Sequence, residues 1–451
     1  MVVFLRRVVA TFLFGALCAG PAVAQPAPEE ITFEDALRIG LERNTALRQA
    51  TNAAEARALE VSNNRAQFLP DLTASIRPTQ RYGLAFDQTT GQLDQETTQS
   101  LDASVSTNLN VFNGFRDVAS LNRAALQREA SEYGLVRAQQ DVLFNVANQF
   151  LQVLLNKQLV LIQEENLEAD RAQLAQIEAL VEAGVRARAD LLQQEAQLAQ
   201  RELQLLQAES DLEVSQTRLV QILQLDPLAN YTFVAPSLEA VPLDRDAYDL
   251  ETLLTAALER RDDLRAQQLE IEATEAGIRV AKGGYYPTAN LFGTYGTSYS
   301  SLGRSPFGDQ IFTDNRAGAV GLSVQIPIFD RFVTRSQVQQ AELQAANERI
   351  ALADLRQEVA LQVRQGYLDY QNAAKRLDVT ARQVASAEAA LEAEQERYDL
   401  GVSTLTELTQ ARALLVEAQS SRAQAVAQFV FQQKLLDYAI GTLDPNAPLF
   451  D

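Results

Sequence analysis

Apolar positions along the chain follow two periods, and the places where one gives way to the other mark its elements. Leu191, Leu198, Leu205, Leu212 and Leu219 return every seventh residue, the repeat of a left-handed helix seam. The same register returns in Leu408, Leu415, Arg422, Phe429 and Leu436. Such a stripe serves either as the seam of an intramolecular helix pair or as a docking surface for another protein. Between Leu101 and Phe112 the period drops to two. Leu101, Ala103, Val105, Thr107, Leu109 and Val111 share one face, while Asp102, Ser104, Ser106, Asn108 and Asn110 share the other, which predicts a strand with one apolar and one wet side. Gly318, Val320, Leu322, Val324, Ile326 and Ile328 repeat this pattern against Ala317, Ala319, Gly321, Ser323 and Gln325. Partner strands are expected near 72–82 and 288–299, with Tyr82, Tyr295 and Tyr299 toward their loop ends, where an interfacial aromatic girdle would lie. The polar loops 83–99 and 300–315 are expected to face outward.

The chain then repeats itself. Leu41-Glu42-Arg43 recurs as Leu258-Glu259-Arg260, Leu69-Pro70 as Tyr286-Pro287 and Val111-Phe112 as Ile328-Phe329, each at an offset of 217 residues. Each copy predicts a first helix (Thr32 to Phe68; Asp249 to Lys282), a β-hairpin, a long helix (115–183; 332–400) and a further helix of about 40 residues. The long helix spans ~100 Å at 1.5 Å per residue, so two shorter helices stacked end to end would run beside it. Between the long helix and the last one lies a tip. Gly184 and Gly401 supply the left-handed C′ residue, followed by Val185 and Val402. Thr404 with Glu407 spells a capping box that restarts the second copy's helix, and Asp190 stands where Glu407 does. The resulting division is a secretory leader at 1–24, a first copy at 25–226 (hairpin 69–113), an equatorial connector at 227–247, a second copy at 248–444 (hairpin 286–329) and a tail at 445–451.

Composition narrows the chemistry. The first 24 residues carry Arg6 and Arg7, an apolar run and Ala22-Val23-Ala24, the plan of a cleavable export signal that takes the only cysteine, Cys18, with it. With no His or Trp in the chain, imidazole bases, thiol nucleophiles and His/Cys metal sites are missing from the mature inventory. No catalytic residue, metal site or cofactor is expected, and the chain is read as a non-enzyme. Its formal charge of −20 becomes −22 without the two leader arginines, which argues against nucleic acid as a partner. No mature apolar run reaches the ~18 to 20 residues of a spanning helix. A bilayer could be crossed only by a closed β-barrel, which four strands cannot close alone.

The leader, the tandem copies, the tips VEAGVRARADLL and RYDLGVSTLTELTQAR and the ending DYAIGTLD together resemble the TolC family of outer-membrane efflux and secretion ducts across essentially the whole mature chain. The resemblance implies a mainly α fold with β: a long tandem-repeat helical coiled-coil barrel joined to a transmembrane β-barrel, four strands per chain, completed in a homotrimer. It places the protein in the outer membrane, extending into the periplasm as the exit duct of efflux pumps or type I secretion. Gly184, Val185, Gly401 and Val402 would dock a periplasmic adaptor, which in turn engages an inner-membrane pump of RND, ABC or MFS type. Leu101, Val105, Leu109, Val320, Leu322 and Val324 would face the lipid bilayer. The family's gate latch, an acid bonded to a tyrosine and an arginine, falls on Asp190, Tyr398 and Ser403, with Arg186 or Arg188 as possible substitutes for the missing arginine. Its acidic selectivity ring falls on Glu407, with Gln410 where a second acid is usual. The alternative reading is an exported coiled-coil scaffold or adhesin without a pore.

Overall fold

The computed structural model describes residues 29–87, 91–234 and 248–442; the leader, residues 235–247 of the connector and the tail lie outside the described residues. Strand β1 (Glu29–Thr32) leads into helices α1 (Phe33–Arg43) and α2 (Thr45–Ala66), strands β2 (Thr73–Asp87) and β3 (Gln92–Phe112), and helices α3 (Arg116–Glu182) and α4 (Arg188–Ile222). After β4 (Tyr231–Val234) come α5 (Leu250–Arg260), α6 (Asp262–Lys282), β5 (Thr288–Ser300), a single turn α7 (Phe307–Asp309), β6 (Ala317–Gln325), α8 (Val333–Asp399) and α9 (Leu405–Ala439). No described helix is long and apolar enough to cross a membrane.

Both first helices, expected to be continuous, are broken. In the first copy Asn44 leaves helical geometry (φ −58°, ψ 127°), and its side-chain oxygen accepts from the Ala46 and Leu47 N–H groups, capping a fresh helix. Arg261 is the matching residue in the second copy (φ −66°, ψ 125°). There the Asp263 carboxylate accepts from the Leu264 N–H at 2.8 Å while the Arg261 guanidinium binds it at 2.5 Å. Short polar side chains next to a helix start outcompete the helix ladder, and neither break needs Gly or Pro.

Helices α3 and α8 each run 67 residues, ~100 Å at 1.5 Å per residue. Along α3 lie α1 and α2 toward the sheet and α4 toward the tip, and α8 carries α5, α6 and α9 in the same way. Helices α6 and α9 also touch α3, which joins the two halves side by side. The post-tip helices stop at 35 residues rather than 40, because Gln224 (φ 54°) and Gly441 (φ 73°) turn left-handed just past their ends. Midway along the molecule β1 pairs in parallel with β4 over a core of Ile31, Phe33, Phe150 and Phe233.

The other sheet has the order β2-β3-β5-β6, all antiparallel. Its outer strands are β2 and β6, so each has one edge unpaired within the described chain. At the strand-to-helix junctions Phe115 and Phe332 take left-handed backbone angles, φ 63° and 64°. Each ring meets a neighbour edge-on, Phe115 against Phe112 at 5.3 Å and Phe332 against Phe329 at 5.7 Å.

Candidate functional site: the helical tips and the sheet face

Each tip closes on itself. After α3 the Val185 N–H donates to Leu180 O at 2.9 Å and the Gly184 N–H to Val181 O at 3.0 Å; after α8 the Val402 N–H donates to Arg397 O and the Gly401 N–H to Tyr398 O at the same two distances. This paired closure requires φ near +73°, which Gly184 and Gly401 supply. Val185 and Val402 then stand at the extreme end, 69% and 67% exposed. Thr404 and Glu407 form the reciprocal cap expected of them, with the Glu407 carboxylate accepting from the Thr404 N–H at 2.9 Å and the Thr404 Oγ1 accepting from the Glu407 N–H at 3.3 Å.

Tyr398 is the anchor between the tips. Only 1% exposed, it packs with Ile177, Leu405 and Leu408 in a small apolar knot. The Arg186 guanidinium lies 4.3 Å from its ring centroid and donates to its backbone carbonyl at 3.3 Å. The Tyr398 hydroxyl and the buried Gln173 amide nitrogen lie close together without closing a full hydrogen bond. Burial pushes the phenol above its usual range, with Arg186 opposing and Asp190 adding to the effect. Within one chain the hydrogen bond expected from Tyr398 to Asp190 is not formed. Asp190 sits half-buried in the first turn of α4, where an acid favours the helix N-terminus.

The expected arginine has changed repeats. Ser403 follows Gly401 by two residues, as Arg186 follows Gly184, so the cation reaches Tyr398 from the first tip instead of the second. Ser403 is buried and its hydroxyl lies between the carboxylates of Glu394 and Glu407, 2.8 Å from the latter. Arg397 pairs with Glu394 at 2.8 Å. Bonds from the Thr404 backbone first, then from the Ser403 and Thr404 hydroxyls, hold the Glu407 carboxyl below its usual range. Gln410 is exposed one turn further on. A second bond between the tips runs from Gln193 Nε2 to Thr406 Oγ1 at 3.0 Å.

Above the tips lies a feature that the leucine pattern conceals. The Leu191-to-Leu212 row is only half-buried; the innermost row of α4 is Gln194, Arg201 and Ser215. It faces Asn156, Asp170 and Ile177 on α3, which also recur in steps of seven or fourteen. Asp170, 1% exposed, takes Arg201 at 3.2 Å and Arg412 of α9 at 2.9 Å. Three helices from both copies thus meet on one buried carboxylate. Higher up, Arg137 of α3 covers the Tyr438 ring of α9 at 3.9 Å, and the Tyr438 hydroxyl donates to Asp141 at 2.6 Å. Polar residues at seven-residue spacing were the available signal, and a search for apolar stripes passes over them.

In the sheet, opposite residues share a face, so the register decides which side chains lie together. Val105 pairs with Ala74 and Tyr295, Leu101 with Pro78 and Tyr299, and Leu109 with Leu291, which pairs in turn with Leu322. Val320 and Val324 belong to the same face through Gly293 and Ala289. One side across all four strands is apolar. The other carries Ser75, Arg77, Asp102, Ser104, Asn108 and Ser323.

The family model described as "Outer membrane efflux protein" matches residues 37–224 and 253–442. Protein CyaE of Bordetella pertussis is 27% identical over 436 residues, 94% of this chain and 88% of its own. Outer membrane protein TolC of Escherichia coli is 25% identical over 414 residues, 89% of this chain and 80% of its own. Among solved structures the CusC channel superposes with a TM-score of 0.78 at 15% identity, covering 93% of this chain and 95% of that one. The outer-membrane channel OprN superposes with a TM-score of 0.76 at 22% identity, covering 91% and 90%.

Proposed function

The chain belongs to the TolC family of outer-membrane efflux proteins, channel proteins of the outer membrane that extend into the periplasm, and from that premise we propose how this member works. Three copies associate; their sheets close a twelve-stranded barrel through the bilayer, and their long helices continue it as a tunnel ending at the tips. The observation that carries this reading is the four-stranded sheet, apolar on one face, polar on the other and open at both edges. An open edge is not tolerated in hydrocarbon, and a lone four-stranded sheet cannot enclose a lumen. The apolar face with Leu101, Val105, Leu109, Val320, Leu322 and Val324 meets lipid, and the polar face lines the pore.

At the other end Val185 and Val402, held out by the glycine turns, dock the helical hairpins of a periplasmic adaptor. The adaptor connects the duct to an inner-membrane pump of RND, ABC or MFS type, which selects the cargo. The closed tip is held by Arg186 on Tyr398, with Asp190 nearby. Three copies of Glu407 around the entrance favour cations, and Gln410 makes the ring weaker than a double row of acids would. A pore-free scaffold has no use for a sheet with one continuous apolar face.

Mass measurement in mild detergent tests the assembly, with three chains expected together with single-channel conductance in planar bilayers. Monomers, or trimers that conduct nothing, would overturn the proposal.

A further inference from the structure

The loop between β5 and β6, residues 301–316, does not stand out into solvent as its polarity suggests. It folds back and is fastened at several points, most densely at Gln310. Gln310, buried, accepts from the Ser300 N–H at 2.9 Å and donates to Ser300 O at 3.2 Å and Ser305 O at 2.6 Å. Thr297 Oγ1 donates to Ile311 O at 2.8 Å, Asn315 Nδ2 to Ser298 O at 2.7 Å, and the Phe307 ring meets Tyr299 edge-on at 4.9 Å.

The side of the sheet on which the loop rests follows from the register. Thr297 pairs with Ala103 and Tyr299 with Leu101, so both side chains that seat the loop belong to the face of Val105, Tyr295 and Leu322. The loop covers the outer end of the apolar face, and it offers outward Phe312, 71% exposed, and Phe307, 51% exposed. Its charges, Arg304 and Arg316 against Asp309 and Asp314, cancel, so exposed aromatic area is the stronger feature. The vertical spacing also fits. From Ala289 to Tyr299, both on this face, the strand climbs ten residues, ~33 Å at ~3.3 Å each. At a tilt of ~40° that is ~25 Å of height, the apolar band of an outer-membrane barrel.

We infer that the loop 301–316 is a collar on the lipid side of the barrel, with Phe312 and Phe307 seated at the boundary between headgroups and acyl chains of the outer leaflet. The occupant of this surface is lipid, because the loop continues a face whose lower part already meets lipid in the proposed function, on which the inference rests. Aromatic rings are suited to that depth, where one flank is apolar and the other wet.

The chain has no tryptophan, so a single substitution reports its own surroundings. Phe312→Trp and, separately, Leu322→Trp are reconstituted as full-length protein in phosphatidylcholine vesicles whose acyl chains are brominated near the headgroup or near the methyl end. Emission of F312W should be blue-shifted and quenched more by the shallow bromines than by the deep ones, and L322W should show the opposite order. Adding Gln310→Ala, which unfastens the loop, should shift F312W emission to the red and abolish its quenching while leaving L322W unchanged. If L322W is not quenched, the lipid-facing reading of the sheet fails, and the collar with it. If L322W is quenched but F312W emits red and yields to aqueous iodide, the collar alone is overturned. Blue but unquenched F312W emission would place the ring against a neighbouring protomer and overturn it as well.

Discussion

Because the Tyr398 ring lies beneath the Arg186 guanidinium while its hydroxyl closes no full hydrogen bond, with only Gln173 nearby, the two parts of that side chain contribute unequally. Removing a buried hydroxyl that makes no bond is close to neutral or slightly stabilising, so Tyr398→Phe should melt and conduct like the parent. Arg186→Gln forfeits a cation–π contact of about 1 kcal/mol per chain and should raise basal conductance in planar bilayers. The reverse ranking of the two variants would assign the closed tip to the hydroxyl. Two titrations give further checks. Glu407 has a depressed folded pKa, so its cap contributes fully above the ordinary carboxylate range and is lost as pH falls through the lower folded value. Melting of the parent in acid should therefore fall more steeply than that of Glu407→Gln. Tyr438 is shifted the other way, to about 12, by burial first and then by its bond to Asp141. Its contribution is complete below about pH 10 and disappears as pH rises through about 12; an ultraviolet titration should show a late phenol that Tyr438→Phe removes. At this scale the sequence located the turn glycines and the capping box, since both are local rules. The expected Asp190 bond was a matter of side-chain direction across two tips, which spacing along the chain does not determine.

Among elements, the Asp170 node concentrates the largest single dependence. Removing its charge strands two largely buried guanidinium groups, at a cost of about 3 to 5 kcal/mol. Asp170→Asn should lower the thermal midpoint markedly. Replacing all three partners together, Asp170→Leu with Arg201→Met and Arg412→Met, should recover most of the loss, because an apolar trio of similar volume needs no compensation. If the triple variant melts no higher than Asp170→Asn, the loss comes from packing rather than stranded charge. The long helices and their end-to-end companions could be read from the seven-residue pattern and from length. The breaks at Asn44 and Arg261 could not, because a helix-favouring window outweighs one polar residue unless its cap is recognised. Asn44→Ala should cost about 1 kcal/mol, seen as a small fall in melting temperature.

For the whole molecule, the alternation in β3 and β6 was enough to assign faces, and the register joins those faces across all four strands. Leu322→Arg should hinder formation of the proposed trimer, since charge on a lipid-facing position, as Leu322 is in that proposal, costs about 2 to 4 kcal/mol near the midplane. Asn108→Arg, on the polar face, should assemble normally and alter conductance; equal defects would overturn the facing. The back-folded loop was not readable, because its position depends on Gln310, a residue that polarity alone assigns to solvent. The unpaired edges of β2 and β6 also matter before any channel exists. A newly exported chain carries two unpaired strand borders and an apolar sheet face covered only at its outer end, the configuration that otherwise seeds aggregates. If three copies close the barrel as proposed, its biogenesis is a race between their encounter and precipitation. A periplasmic holdase that shields the hairpins, while leaving the helices free to pair, would decide the yield; slowing synthesis should raise the fraction of chains that mature, and crowding the periplasm with unassembled copies should lower it.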